Sequence, residues 1–218
     1  MFEFTIREND FLNGFLDLLS DYVNKSYKFT MSYLTSPLLS DVRESERLVL
    51  LVVNKSVFQN MYSFIKLNDS NMQFASFSCL ETAVNSMRLY NVLAINPDYM
   101  HEYITGGNFS LEVCENEISE KQKEYKKGEE EFSLREFATG LGKLKNAAVA
   151  SQLVDGNIYL GLSCGNELGE DLQDEVRKSM IGAYLSLSKH NKMFFNGGID
   201  DTLEELEDKL YAKFLEYI

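Results

Sequence analysis

Apolar positions recur along this chain with a period near 3.6, the spacing that lays side chains on one face of a helix. Phe11, Phe15, Leu18 and Tyr22 set the first such stripe, so one helix is expected from about residue 9 into the low thirties. Pro37 then breaks the chain. Asp41 and Glu44 stand at capping-box spacing, where one carboxylate accepts an orphan amide and the other reaches back. Behind them Val42, Val49, Val52, Ser56, Phe58, Met61, Phe64 and Ile65 predict a long, largely buried helix ending at the polar turn 68–71. Phe77, Leu80, Val84 and Met87 form the next stripe. It must stop before Asn96, because a residue preceding proline disfavours helical geometry. Asn96 can cap a short helix with Pro97 in its first position, and Gly106-Gly107 ends it.

Residues 110–127 read as an exposed, charge-rich helix carrying pairs such as Glu117–Lys121. Ser133 and Glu136 make a second capping box, and Phe132 can staple against Phe137. That helix continues through Leu141, Leu144 and Ala148 to a turn at Asp155-Gly156-Asn157. Residues 158–170 read as a short helix followed by a loop. Leu172, Val176, Met180, Ala183 and Leu187 form another stripe. Asp201 and Glu204 then start an amphipathic helix over 201–218, with Leu203, Leu206, Leu210 and Phe214 on one face. Such a helix either packs on the bundle or forms a homodimer seam. No repeat and no hairpin signal interrupts the series. The expected fold is all-α, one domain over 1–218, a single helical bundle of about eight helices.

Composition narrows the chemistry. The chain has 218 residues, 44% of them hydrophobic, which suffices for a core. Its longest aliphatic run, 48–53, is far shorter than the roughly 20 apolar residues of a membrane span, so no membrane partner is expected. The first ten residues lack the basic and apolar regions of a signal peptide, and a cytoplasmic protein is the expectation. Cys79, Cys114 and Cys164 lie far apart with no Cys/His cluster, so free thiols are expected and no zinc or other cofactor is implied. A net charge of −13 repels phosphate backbones and leaves nucleic acid only a local groove.

Two motif matches carry little. Gly161-Leu162-Ser163-Cys164-Gly165 has the form of a nucleophile elbow, but that motif needs a strand–turn–helix that this pattern does not offer. Residues 139–143, TGLGK, lack P-loop spacing and sit inside a capped helix. The reactive candidate is His101, on the short helix after Pro97, with Arg88 on the preceding helix. Histidine moves a proton and arginine stabilises a phosphorane-like charge, the minimum for metal-independent RNA cleavage. The competing reading is a surface histidine at a helix corner, with Arg88 paired to a carboxylate. His190 lies near a helix C-terminus, where the dipole favours a cationic imidazole.

The order of KLNDSN (66–71), FSCLETAV (77–84), NPDYMHEYI (96–104) and YLGLSCGNEL (159–168) resembles the HEPN-like helical domains of bacteria. The likeness covers roughly residues 45–195. It is nearest to a branch with an arginine four residues before a glutamate and a later L-S-x-x-x-H. Glu81 matches the glutamate, but Phe77 stands at the arginine position and about Asn166 at the histidine position. The R-x4-6-H ribonuclease signature is absent. The resemblance implies a member stripped of the acid–base pair, with Glu81 and Asn166 left as binding residues. Asparagine hydrogen-bonds but shuttles no proton near neutral pH.

The expected function is therefore a non-catalytic regulatory or protein-binding protein. By analogy, its setting is prokaryotic defence or toxin–antitoxin systems. One alternative is a divergent metal-independent ribonuclease using Arg88 and His101. The other is an acidic inhibitor that mimics nucleic acid, with carboxylates of 115–131 and 200–208 gathered on one face. The binding reading expects an exposed apolar patch.

Overall fold

The computed structural model describes residues 10–35, 43–69, 73–123, 132–154, 170–194 and 201–216. Asp41, the 155–157 turn, the G-x-S-x-G match, Cys164 and Asn166 lie outside them. Eight helices occur among the described residues: α1 (Asp10–Leu34), α2 (Glu44–Asp69), α3 (Gln73–Ile95), α4 (Pro97–Thr105), α5 (Leu111–Lys123), α6 (Leu134–Val154), α7 (Glu170–Phe194) and α8 (Asp201–Leu215). The expected all-α bundle is the observed one.

Local sequence sets several ends. Asn96 has extended backbone geometry, and its Oδ1 accepts from the Asp98 amide at 3.0 Å. Pro97 takes the first helical position, where a missing N–H costs nothing. Gly106 closes α4 with φ of 69°, a left-handed conformation that suits glycine. Ser133 Oγ accepts from the Glu136 amide at 3.3 Å, and the Phe132 and Phe137 rings lie 5.5 Å apart. Cap and staple thus start α6 as the sequence signals.

Chain directions follow from the contacts. Tyr22 meets Tyr184 and Asn191, while Tyr33 meets Phe194, so α1 and α7 run parallel. Tyr27 stacks edge-on against Phe58 in α2, and Tyr22 bonds Glu207 in α8. Helix α3 lies against α2, α6 and α7, at the centre of the bundle. The core joins fully buried Phe15, Phe64, Phe77, Met87 and Leu187, each worth about 1.5–3 kcal/mol as a buried apolar side chain. The stripe Phe77, Leu80, Val84, Met87 is buried throughout. Helix α8 packs on α1 and α7 through Leu203, Leu206 and Leu210.

Two expectations change, the place of Val52 and the charge of His190. Val52 was expected in the core of α2 but is 61% exposed, on the same face as Leu48. The 3.6-residue period places Val53 and Val57 inward instead, and a continuous aliphatic run does not reveal which face that is. Helix α2 also contains an 18-residue window of mean hydropathy 1.3, long and apolar enough by composition to cross a membrane. A count of unbroken aliphatic residues misses this, because Asn54, Lys55 and Ser56 interrupt the run. In the fold, the buried face of α2 packs on α1 and α3. Finally, His190 is fully buried, and desolvation lowers its pKa to about 4. The expected cationic imidazole is a neutral one, since burial outweighs any attraction of the helix terminus.

Close approach of α6 and α7 depends on one glycine. A Cβ at Gly182 would lie 2.2 Å from Cζ of Phe137. Gly182→Ala should therefore displace that ring and destabilise the fold by about 1–3 kcal/mol, the usual range for overpacking. Chemical denaturation checks this; an unchanged midpoint would mean that the ring moves freely.

Candidate functional site

Helices α3, α5 and α7 and the start of α6 enclose a cleft of about 490 Å³. That volume falls in the usual range for ligand sites. Arg88, Arg135 and Lys189 bring three cations to it, and Glu115 brings a carboxylate. In a chain of net charge −13, this is a local reversal of sign.

Each cation is positioned by its element. Arg88 lies on the α5-facing side of α3 with 9% exposure. Its Nε and Nη2 donate to the two oxygens of Glu115 at 2.8 and 2.5 Å, a bidentate pair. Its Nη1 donates to Asn85 Oδ1 at 2.7 Å. Arg135, in the first turn of α6, is exposed and donates to Asn116 Oδ1 at 2.6 Å. Lys189 donates from Nζ to the Phe132 carbonyl at 2.9 Å, tying α7 to the residue just before the α6 cap. Ser133 and Leu134 also line the cleft, so the positive end of the α6 dipole opens onto it. Asn91 adds a buried carboxamide oxygen without a hydrogen-bond partner among the described residues.

Glu81 sits two turns before Arg88 on the same side of α3, at a level where its neighbour is α6. Its Oε1 lies 3.1 Å from where a Cβ at Gly142 would be. His101 is exposed on α4, and its carbonyl accepts from Thr105 Oγ1 at 2.9 Å. It is not among the residues lining the cleft. Arg88 and His101 thus occupy different surroundings, and the cation of that pair is held by Glu115. Residues 139–143 lie within α6. Cys79 and Cys114 are free thiols, and burial raises both pKa values.

Arg135 and Lys189 are the cleft cations that sequence reasoning missed. Their signal was available only in part. Arg135 follows a recognisable cap, but nothing in the sequence announces that the last turns of α7 lie beside it.

A second polar cluster is structural. Tyr22 donates to Glu207 Oε1 at 2.5 Å, Asn191 Nδ2 donates to Tyr22 Oη and Ser26 Oγ at 2.9 Å each, and Lys192 Nζ lies 3.6 Å from Glu207 Oε2. Burial first, and then Glu207, push the Tyr22 hydroxyl well above the usual phenol range. The cluster fixes α8 against α1 and α7. Glu117 accepts from Tyr99 at 2.5 Å, chiefly through which the Tyr99 pKa rises to about 12. The acidic residues Glu115 and Glu117 therefore serve α3 and α4, while Glu207 serves α1 and α7.

No family model matches the chain, and no curated protein or solved structure matches it either.

Proposed function

We propose that this chain is a non-catalytic regulatory or binding protein acting through protein contacts at the α3–α5–α6–α7 cleft. One observation carries the reading. The described cleft residues can hold charge but are poorly equipped to move a proton. They include no histidine, cysteine or tyrosine, and their carboxylate, Glu115, is gripped by Arg88. General acid–base catalysis needs a group that titrates near the working pH. A fixed set of cations needs only a complementary surface. The HEPN-like resemblance and a defence or toxin–antitoxin setting belong to this reading as its proposed context.

The test is a tagged pull-down from the native host, with protein and nucleic acid both identified. The expected result is a stoichiometric protein partner without enriched RNA, lost on Arg135→Glu. Enriched RNA that is lost on His101→Ala would overturn the reading in favour of a ribonuclease.

A further inference from the structure

The cationic cleft does not end at α7. A second cleft, of about 340 Å³, shares Asn91, Ile95 and Met193 with it and lies on the α1–α2 side of the α3–α7 seam. The second cleft is lined by Tyr33, Arg47 and Phe194 among others. Tyr90 of α3 packs here on both His190 and Phe194 of α7. From Arg88 to Ile95 the helix rises about 10 Å at 1.5 Å per residue. The composite groove therefore has Arg135 and Lys189 at one end, an apolar middle, and Arg47 at the other. The middle is open: Ile95 is 48% exposed and Met193 40%.

We infer, resting on the binding reading above, that this groove takes an acidic segment of a partner protein, with carboxylates flanking an aliphatic anchor. Three features argue for that occupant. Cations stand at both ends of an apolar stretch, on a chain whose overall charge is −13. The exposed middle is aliphatic, which suits a leucine-like side chain better than a base. The rings of Tyr90 and Phe194 pack against each other at 5.6 Å, and Tyr33, edge-on to Phe194 at 5.3 Å, keeps 44% of its surface exposed at the Arg47 end rather than in the middle. A nucleic acid would also carry its closely spaced phosphates past the surrounding carboxylates, whereas a short peptide brings only a few charges. An extended peptide rises about 3.3 Å per residue, so three to four residues cover the helical stretch and a hexapeptide adds about one residue beyond it on each side.

The experiment uses the full chain and fluorescein-labelled hexapeptides of the form Asp-Glu-X-X-Asp-Glu, with X drawn from Leu, Ile, Met and Phe. Controls carry Lys and Arg in place of the acids, or Ser at X. A ten-nucleotide single-stranded RNA is the rival probe. Anisotropy at about 50 mM salt should show binding of the acidic, aliphatic peptides and not of the controls, weakening as salt rises. Arg135→Glu, Arg47→Glu and Ile95→Ser should each weaken binding about tenfold. Arg135 and Ile95 are exposed, and circular dichroism confirms the fold of all three variants. Equal binding of basic peptides, binding of no acidic peptide, insensitivity to the variants, or binding of the RNA instead would overturn the inference. A pull-down partner lost on Arg135→Glu, together with failure of the peptides, would leave the binding reading standing and the occupant wrong. Peptide binding without any cellular protein partner would confirm the groove's chemistry and remove the regulatory reading.

Discussion

Arg88→Met should cost the fold about 3–5 kcal/mol, the range for breaking one partner out of a buried ion pair. The side chains of Arg88 and Glu115 are only 10% and 18% exposed. Removing the guanidinium leaves the Glu115 carboxylate facing a largely desolvated site, and leaves Asn85 Oδ1 without the donor on Nη1. The charge, rather than the lost contact, is the main penalty. For a chain of this length, each kcal/mol lowers the melting temperature by about 2–4 °C. The melting temperature should therefore fall by roughly 6 °C or more. The double variant Arg88→Met/Glu115→Leu should recover most of that loss, because two apolar groups of similar size need no partner. Differential scanning calorimetry on the four proteins of this cycle is the check. An additive cycle would show that the pair stabilises nothing, and would reopen Arg88 as a residue held for chemistry.

The same residue shows how far the sequence reaches. Helix spans were legible because each rests on local information: the Phe77–Leu80–Val84–Met87 stripe, the Asn96-Pro97 cap and joint, and the Ser133 cap on the Glu136 amide all act within a few residues. Pairing Arg88 with a carboxylate was foreseeable in kind, but the partner was not. Glu115 lies 27 positions away, on a helix whose rotation about its axis is set by Cys114 and Ile118 packing near Val92. The cleft was harder still, because Arg88, Arg135 and Lys189 meet only once α6 turns back along α3 and α7. A net charge of −13 averages over the whole surface and hides a basic pocket of three side chains. The face of α2 was misjudged for a related reason: six aliphatic residues in a row give no angular contrast, so the placement of Val52 depends on neighbours.

Acidification should expose the other side of this long-range packing, through His190. Its ring is fully buried, with Nε2 2.9 Å from Asn54 Oδ1 and the Tyr90 ring edge-on at 5.0 Å. Asn54 spends its Nδ2 on the Leu50 carbonyl, so its oxygen is the acceptor and the imidazole donates from Nε2. Nδ1 has no hydrogen-bond partner among the described residues, so a second proton would be buried without an acceptor. That is why burial drives the pKa down from 6.5 to about 4. Between these values the unfolded chain holds a proton that the folded chain refuses. Stability therefore falls as pH drops through 6.5 and levels off below about 4. A shift of this size corresponds to about 3 kcal/mol across the window. His190→Gln keeps a neutral donor of similar reach toward Asn54 and removes the titration. Urea denaturation between pH 4 and 7 should show wild-type stability falling with acid more steeply than the variant's, by a difference of about 3 kcal/mol at the acid end. Parallel curves for the two proteins would mean that His190 takes up its proton in the folded state, and that the α2–α7 contact opens to admit it.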